Sequence, residues 1–121
     1  VNSRTGRVFL SDCPTRLATE ILGDTWTPLV VHALGGEPRR HGEIQTAVGG
    51  ISRKVLTETL RRLEGHGLVE RRHDPSGHPE YRLTELGRTL LAPIEALTDW
   101  AREHADEITT FHETRRATDG A

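Results

Sequence analysis

The chain has 121 residues, of which 34% are hydrophobic and 28% charged, with a formal net charge of −2. That length supports a single domain whose core needs no staples. One cysteine excludes an internal disulfide and fits a reducing, cytoplasmic setting. No apolar run approaches the ~18 residues of a membrane span, and the opening stretch VNSRTGRVFLSD lacks the apolar region of a secretory signal.

The small net charge conceals an asymmetry. Residues 39–88 hold ten Arg/Lys against seven Asp/Glu, residues 1–38 three against four, and residues 89–121 three against seven. Steering of a polyanion depends on the local field and not on the sum, so the basic middle segment keeps nucleic acid open as a partner. Its cations are arginines apart from Lys54, and the guanidinium fork suits phosphates and guanine edges.

In chain order, residues 1–12 read as a flexible N-terminal arm. Cys13-Pro14 opens a first helix carrying Leu17, Ala18, Ile21 and Leu22 at helical spacing, which Gly23 ends. Thr25 is the expected cap of a second helix, with Trp26, Leu29, Val30, Ala33 and Leu34 apolar and Pro28 tolerated in its first turn. A short third helix spans Arg40 to Val48, with Ile44, Ala47 and Val48 inward. Gly49-Gly50 turns the chain, and Ser52 caps a fourth helix whose Val55, Leu56, Leu60 and Leu63 share one face. Gly65 and Gly67 stop it, with Leu68 as the apolar residue after a glycine cap. Two strands, Val69 to His73 and Glu80 to Leu83, flank the turn formers Asp74-Pro75-Ser76-Gly77-His78-Pro79. Thr84 caps a further helix. From Leu90 a long helix repeats Leu91, Ile94, Leu97, Trp100, Ala101, His104, Ile108 and Phe111 at i, i+3, i+4 spacing, and the polar tail from Thr114 is expected to fray.

The stretch from Gly50 to Leu83 is the most informative. A helix with basic and polar residues on one face, followed directly by a basic hairpin, is how a winged helix grips DNA, the helix in the major groove and the hairpin at the backbone or minor groove. Arg53 and Lys54 occupy the first turn of that helix, where the dipole disfavours cations by ~0.3–1 kcal/mol. A phosphate or guanine edge at the helix N-terminus supplies a reason for them. A solvated helix end explains them alone. It does not explain them together with Arg39, Arg40, Arg71, Arg72, His73 and Arg82.

The same residues resemble the HxlR-type branch of bacterial winged-helix transcriptional regulators, relatives of the MarR group. The matching pieces are Cys13-Pro14, the Gly23-Asp24-Thr25-Trp26-Thr27 run, Gly50 to Thr57, Leu60-Arg61-Arg62-Leu63-Glu64 with Gly67-Leu68-Val69, and Glu80-Tyr81-Arg82-Leu83-Thr84 ahead of Gly87. Their order and spacing together are specific. The resemblance implies a mainly α winged helix-turn-helix protein with a small β-hairpin. It further implies a homodimer formed through the terminal helices (Leu17, Ile94, Leu97, Trp100, Ala101 and Ile108) that binds double-stranded DNA at an inverted repeat as a repressor or activator. Ser52, Arg53, Lys54, Thr57, Glu58 and Arg61 would face the major groove, Arg39, Arg40 and Ser52 would meet phosphates, and His73, Ser76 and Arg82 would belong to the wing. The wing departs from the family pattern: Pro79 directly precedes Glu80, and Asp74 puts a negative charge near the tip. On this reading residues 13–89 form the DNA-binding domain and 90–121 the dimerisation helix and tail.

Cys13 stands ahead of a helix whose dipole favours a thiolate, with Arg16 one turn on and Asp12 opposing it. In parts of the family such a cysteine senses oxidants or electrophiles. A small buried residue near the dimer seam is the bland alternative. With no second cysteine, only an intersubunit bridge or a small-thiol adduct is open to it. The seven histidines show no i, i+4 pair and no Cys-x-x-Cys accompanies them, so neither a metal nor a cofactor is expected. No phosphate loop or nucleophile elbow suggests an enzyme. The aromatic residues leave room for an unassigned small-molecule effector. The competing function is a winged-helix module that binds protein and not DNA; steep loss of duplex binding with salt separates the two.

Overall fold

The computed structural model describes residues 13–119, so the expected arm at 1–12 lies outside the described residues. Six helices and two strands follow in the order α1 (Pro14–Leu22), α2 (Trp26–Ala33), α3 (His41–Val48), α4 (Arg53–Gly65), β1 (Val69–His73), β2 (Pro79–Leu83), α5 (Glu85–Arg88) and α6 (Leu91–Asp119). They divide into two units, one up to Leu91 and one from Ala92.

In the first unit α2, α3 and α4 pack on one another, and α3 and α4 pack on the hairpin. Leu56, Leu60 and Leu63 of α4, Val30 and Val31 of α2, Leu34 just beyond it and Ile44 of α3 are all sealed from solvent. Burying each such side chain stabilises the fold by about 1.5–3 kcal/mol. Ile51, Leu68, Val69 and Leu83 close the core from the turn and strand ends. The buried face of α2 is Thr27, Val30, Val31 and Leu34, an i, i+3, i+4, i+7 set. It is rotated from the expected face: Leu29 is exposed and Val31 takes its place inside. On α3 only Ile44 is buried, and Ala47 faces out.

The start of α2 shows how a polar residue can lie on that face. Thr25 makes no side-chain cap. Asp24 does the capping instead, its carboxylate accepting from the backbone N–H of Trp26 and of Thr27, both at 2.9 Å. The same carboxylate accepts from the Thr27 hydroxyl at 2.7 Å, so a polar side chain can be buried with its hydrogen bond made.

The α4 boundaries follow local chemistry. Ser52 Oγ accepts from Val55 N at 3.1 Å, an N-cap. At the other end Gly67 adopts φ +76°. Leu68 N–H then reaches Leu63 O and Gly67 N–H reaches Glu64 O, the paired bonds of a Schellman stop.

The strands pair antiparallel in the register Val69↔Leu83, Glu70↔Arg82, Arg71↔Tyr81, Arg72↔Glu80 and His73↔Pro79. A third strip joins them that local sequence does not announce: Arg39 and Tyr81 exchange both backbone bonds, at 3.0 and 2.8 Å, tying the start of α3 to β2. Thr84 caps α5 as expected, accepting from Gly87 N. Gly87 is there of necessity, since a Cβ would lie 2.0 Å from the Leu68 carbonyl oxygen.

In the second unit α6 runs to Asp119, so the expected fraying from Thr114 is not found. No glycine or proline interrupts residues 114–119, Arg116 suits the negative end of the dipole, and the Arg115 guanidinium lies 6.0 Å over the Phe111 ring. No helix among the described residues is long and apolar enough to cross a membrane.

Candidate nucleic-acid interface

At ~3.6 residues per turn, the buried Leu56, Thr59, Leu60 and Leu63 fill one side of α4. Lys54, Glu58, Arg61 and Gly65 form the strip diametrically opposite, and all four are exposed. Arg53 and Thr57 lie on one flank and Arg62 on the other.

The two flanks are held by side chains from earlier helices. Arg62 Nη2 donates to Asp24 Oδ2 at 2.8 Å and to Thr27 Oγ1 at 2.6 Å, locking α4 to the start of α2. Partial burial pushes the Asp24 carboxyl up. The hydrogen bonds from Thr27 and Trp26, with Arg62 beside it, outweigh that and hold it below its ordinary value. On the other flank His41 Nε2 lies 3.0 Å from Thr57 Oγ1. The Thr57 hydroxyl proton is already given to Arg53 O at 2.9 Å. Nε2 must therefore donate, and neutral His41 carries its proton there. The remaining ring nitrogen, Nδ1, is buried without a partner. A second proton would find no acceptor, and His41 is lowered by burial first and by the Arg53 charge second.

The hairpin is organised around carboxylates. At its tip Asp74 Oδ1 accepts from the backbone N–H of Ser76 and of His78, both at 2.9 Å, and from Ser76 Oγ at 2.7 Å. Asp74 Oδ2 accepts from Arg40 Nε at 2.9 Å and Nη2 at 2.7 Å. The Ser76 hydroxyl, the His78 N–H and Arg40 together hold the Asp74 carboxyl well below the usual carboxylate range. Asp74, read from sequence as a charge working against wing contact, thus folds the tip and pins it to the start of α3. Along the strands Glu70 pairs with Arg82 at 2.5 Å and with Arg72 at 3.3 Å, and these bonds, Arg82 foremost, lower its carboxyl.

On α4 and the hairpin, Arg53, Lys54, Arg61 and Arg71 make no ion pair among the described residues. Arg53 and Arg71 both line a cleft of about 340 Å³ bordered by α3, α4 and the hairpin, which His41, Thr57 and Tyr81 also line.

The residues expected at a DNA surface therefore separate. Lys54, Glu58 and Arg61 share the outward strip, and Arg53 and Thr57 border the cleft. Ser52 serves as the N-cap, and His73 is exposed at the end of β1. Arg39 turns inward, its Nε donating to Ala33 O at 2.7 Å. Arg40 and Ser76 belong to the Asp74 cluster, and Arg82 to Glu70. Sequence reasoning passed over the cap made by Asp24, and the Arg62–Asp24 and His41–Thr57 bonds, whose partners are remote in sequence.

Cys13 is the N-cap residue of α1 and is 7% exposed. Leu17 of α1 is exposed. Of the apolar residues expected at a dimer seam on α6, Ile94 is already buried in the single chain, while Leu97, Trp100, Ala101 and Ile108 are exposed. No group of three His, Cys, Asp or Glu side chains placed to hold a metal occurs among the described residues.

Three helices, a capped fourth helix with an outward basic strip and an adjoining hairpin define a winged helix-turn-helix protein. The family model for the HxlR-like helix-turn-helix matches residues 21–109, and the chain belongs to that family. It is 31% identical over 114 residues to the uncharacterized HTH-type transcriptional regulator YtfH of Escherichia coli, covering 93% of this chain and 90% of that one. Among solved structures, the reduced form of the transcriptional regulator YodB from B. subtilis is 37% identical with a TM-score of 0.67, covering 74% of this chain and 90% of that one. YodB has also been solved after diamide treatment. The redox regulator HypR in its reduced form superimposes with a TM-score of 0.73 at 27% identity, over 80% of this chain and 98% of that one. The family is one of transcriptional regulators and not of enzymes.

Proposed function

We propose that the chain is a sequence-specific repressor that binds an inverted-repeat operator as a homodimer. Each subunit lays α4 in a major groove and rests its hairpin against the adjoining backbone. The carrying observation is the outward strip of α4, whose Lys54 and Arg61 lie opposite the core with no carboxylate paired to them among the described residues. Unpaired cations on an exposed helix face are what a phosphate backbone and guanine edges attract. Arg53 and Arg71, which both line the cleft, are placed to add phosphate contacts. The exposed stripe Leu97, Trp100, Ala101 and Ile108 supplies the apolar surface for a partner copy, since such aromatic anchors dominate interfaces. Two-fold pairing sets half-sites about one helical turn, ~34 Å, apart.

A mobility shift on the duplex upstream of the regulated gene tests the reading. The Arg53→Ala/Lys54→Ala protein is expected to lose most of its affinity and part of its salt dependence, and unchanged values in both would sink the assignment.

Oxidation is the signal this reading favours, on the likeness to HypR, a redox regulator by name, and to YodB, solved both reduced and diamide-treated. Cys13 is the residue through which it would act. Diamide is expected to release wild-type protein from DNA and to leave Cys13→Ser bound; an equal response in both removes the cysteine from the mechanism.

A further inference from the structure

Glu58 stands between Lys54 and Arg61 on the outward strip of α4, exposed and without an ion pair among the described residues. Its neighbours explain the vacancy. Lys54 precedes it by one turn, the order that pairs less well across a helix. Arg62 follows it at i+4, the better order, yet is turned away onto Asp24 and Thr27 at 2.8 and 2.6 Å. Arg61 extends outward unpaired. A carboxylate held this way does nothing for the fold, and beside a phosphate backbone it is repelled.

A base edge is the surface on which it gains. A carboxylate only accepts hydrogen bonds. In the major groove guanine offers N7 and O6 and thymine offers O4, all acceptors that repel it. Adenine sets its N6 donor beside the N7 acceptor. Cytosine presents the N4 amino group as its sole polar atom there. Gly65, one further step along the same strip, has open space where a side chain would stand, which leaves the duplex room to approach.

We propose that Glu58 is a specificity-determining residue that accepts a hydrogen bond from the N4 amino group of one cytosine in each operator half-site, while Lys54 and Arg61 on either side meet guanine edges or phosphates. The inference rests on the reading of α4 as the groove-entering helix. Its role is selective: it lowers affinity for DNA in general and restores it where a cytosine stands.

Selection from a random duplex library at fixed salt, followed by binding titrations, tests this with wild type, Glu58→Ala and Glu58→Gln. Glu58 is exposed, so both variants are expected to melt like wild type. Wild type is expected to select a cytosine in each half-site, and replacing it should cost roughly 5- to 100-fold in affinity. Glu58→Ala should flatten that position alone. Glu58→Gln should move the preference toward adenine, whose N6 and N7 a glutamine amide matches. Variants that bind every duplex more tightly with the wild-type preference intact would overturn the inference and leave the regulator reading standing. Wild type that enriches no sequence would overturn both.

Discussion

On α4, Lys54 and Arg61 stand outward with no paired carboxylate among the described residues, whereas on the hairpin Arg72 and Arg82 close onto Glu70, and Arg40 closes onto Asp74 at the tip. Both regions are rich in arginine. The difference teaches that a count of cations overstates a binding surface, because an arginine already paired offers a polyanion much less than one left free. It also shows that each region is anchored by one aspartate. Asp24 holds α4 through Arg62, and Asp74 holds the hairpin through Arg40.

Removing the two anchors separates the regions. Asp24→Ala deletes the α2 cap and leaves Arg62 and Thr27 without their shared acceptor. It should lower global stability by roughly 2 kcal/mol, read as a lower urea midpoint at unchanged slope. Asp74→Ala should shift the midpoint less and instead speed amide exchange at Ser76 and His78, whose N–H groups it now holds. Equal midpoint shifts with no local change in exchange would contradict the division.

His41 lies between the two regions and should give the smallest effect. Its value in the folded protein lies below the ordinary 6.5, so the unfolded chain binds the proton more readily. Its contribution to stability is therefore complete above about pH 6.5 and is lost as the pH falls from there through the lowered value. Wild type should lose more stability between pH 7.5 and 5.5 than His41→Gln; parallel profiles would show that the orphaned Nδ1 has no energetic weight.

Much of this was legible from local pattern. Ser52 and the Val55-to-Leu63 spacing marked α4, Gly67 with Leu68 marked its stop, and the Asp74–Pro79 turn formers marked the hairpin, because each signal lies within a few residues of what it controls. The missed features depend on residues that only the fold brings together. Arg62 finds Asp24 across 38 positions and Arg40 finds Asp74 across 34, and the Arg39–Tyr81 bridge joins a loop to a strand. Thr25 was expected as the cap because its type permits it. Asp24, equally suited by type, is the residue whose carboxylate faces the two free N–H groups. For the candidate site, sequence named the outward residues of α4 but could not tell free arginines from paired ones.

The central claim, that the outward strip of α4 carries free charge while Arg72 and Arg82 of the hairpin are tied to Glu70 and only Arg71 there is left unpaired among the described residues, is most directly tested by the salt dependence of operator binding. Each phosphate-neutralising cation lost should reduce the slope of log K against log salt by about 0.9. Lys54→Ala/Arg61→Ala is predicted to lower the slope markedly, by up to about 2 if both meet phosphates, and Arg72→Ala/Arg82→Ala to leave it nearly unchanged. A slope that falls for the hairpin pair and holds for the α4 pair would contradict the account.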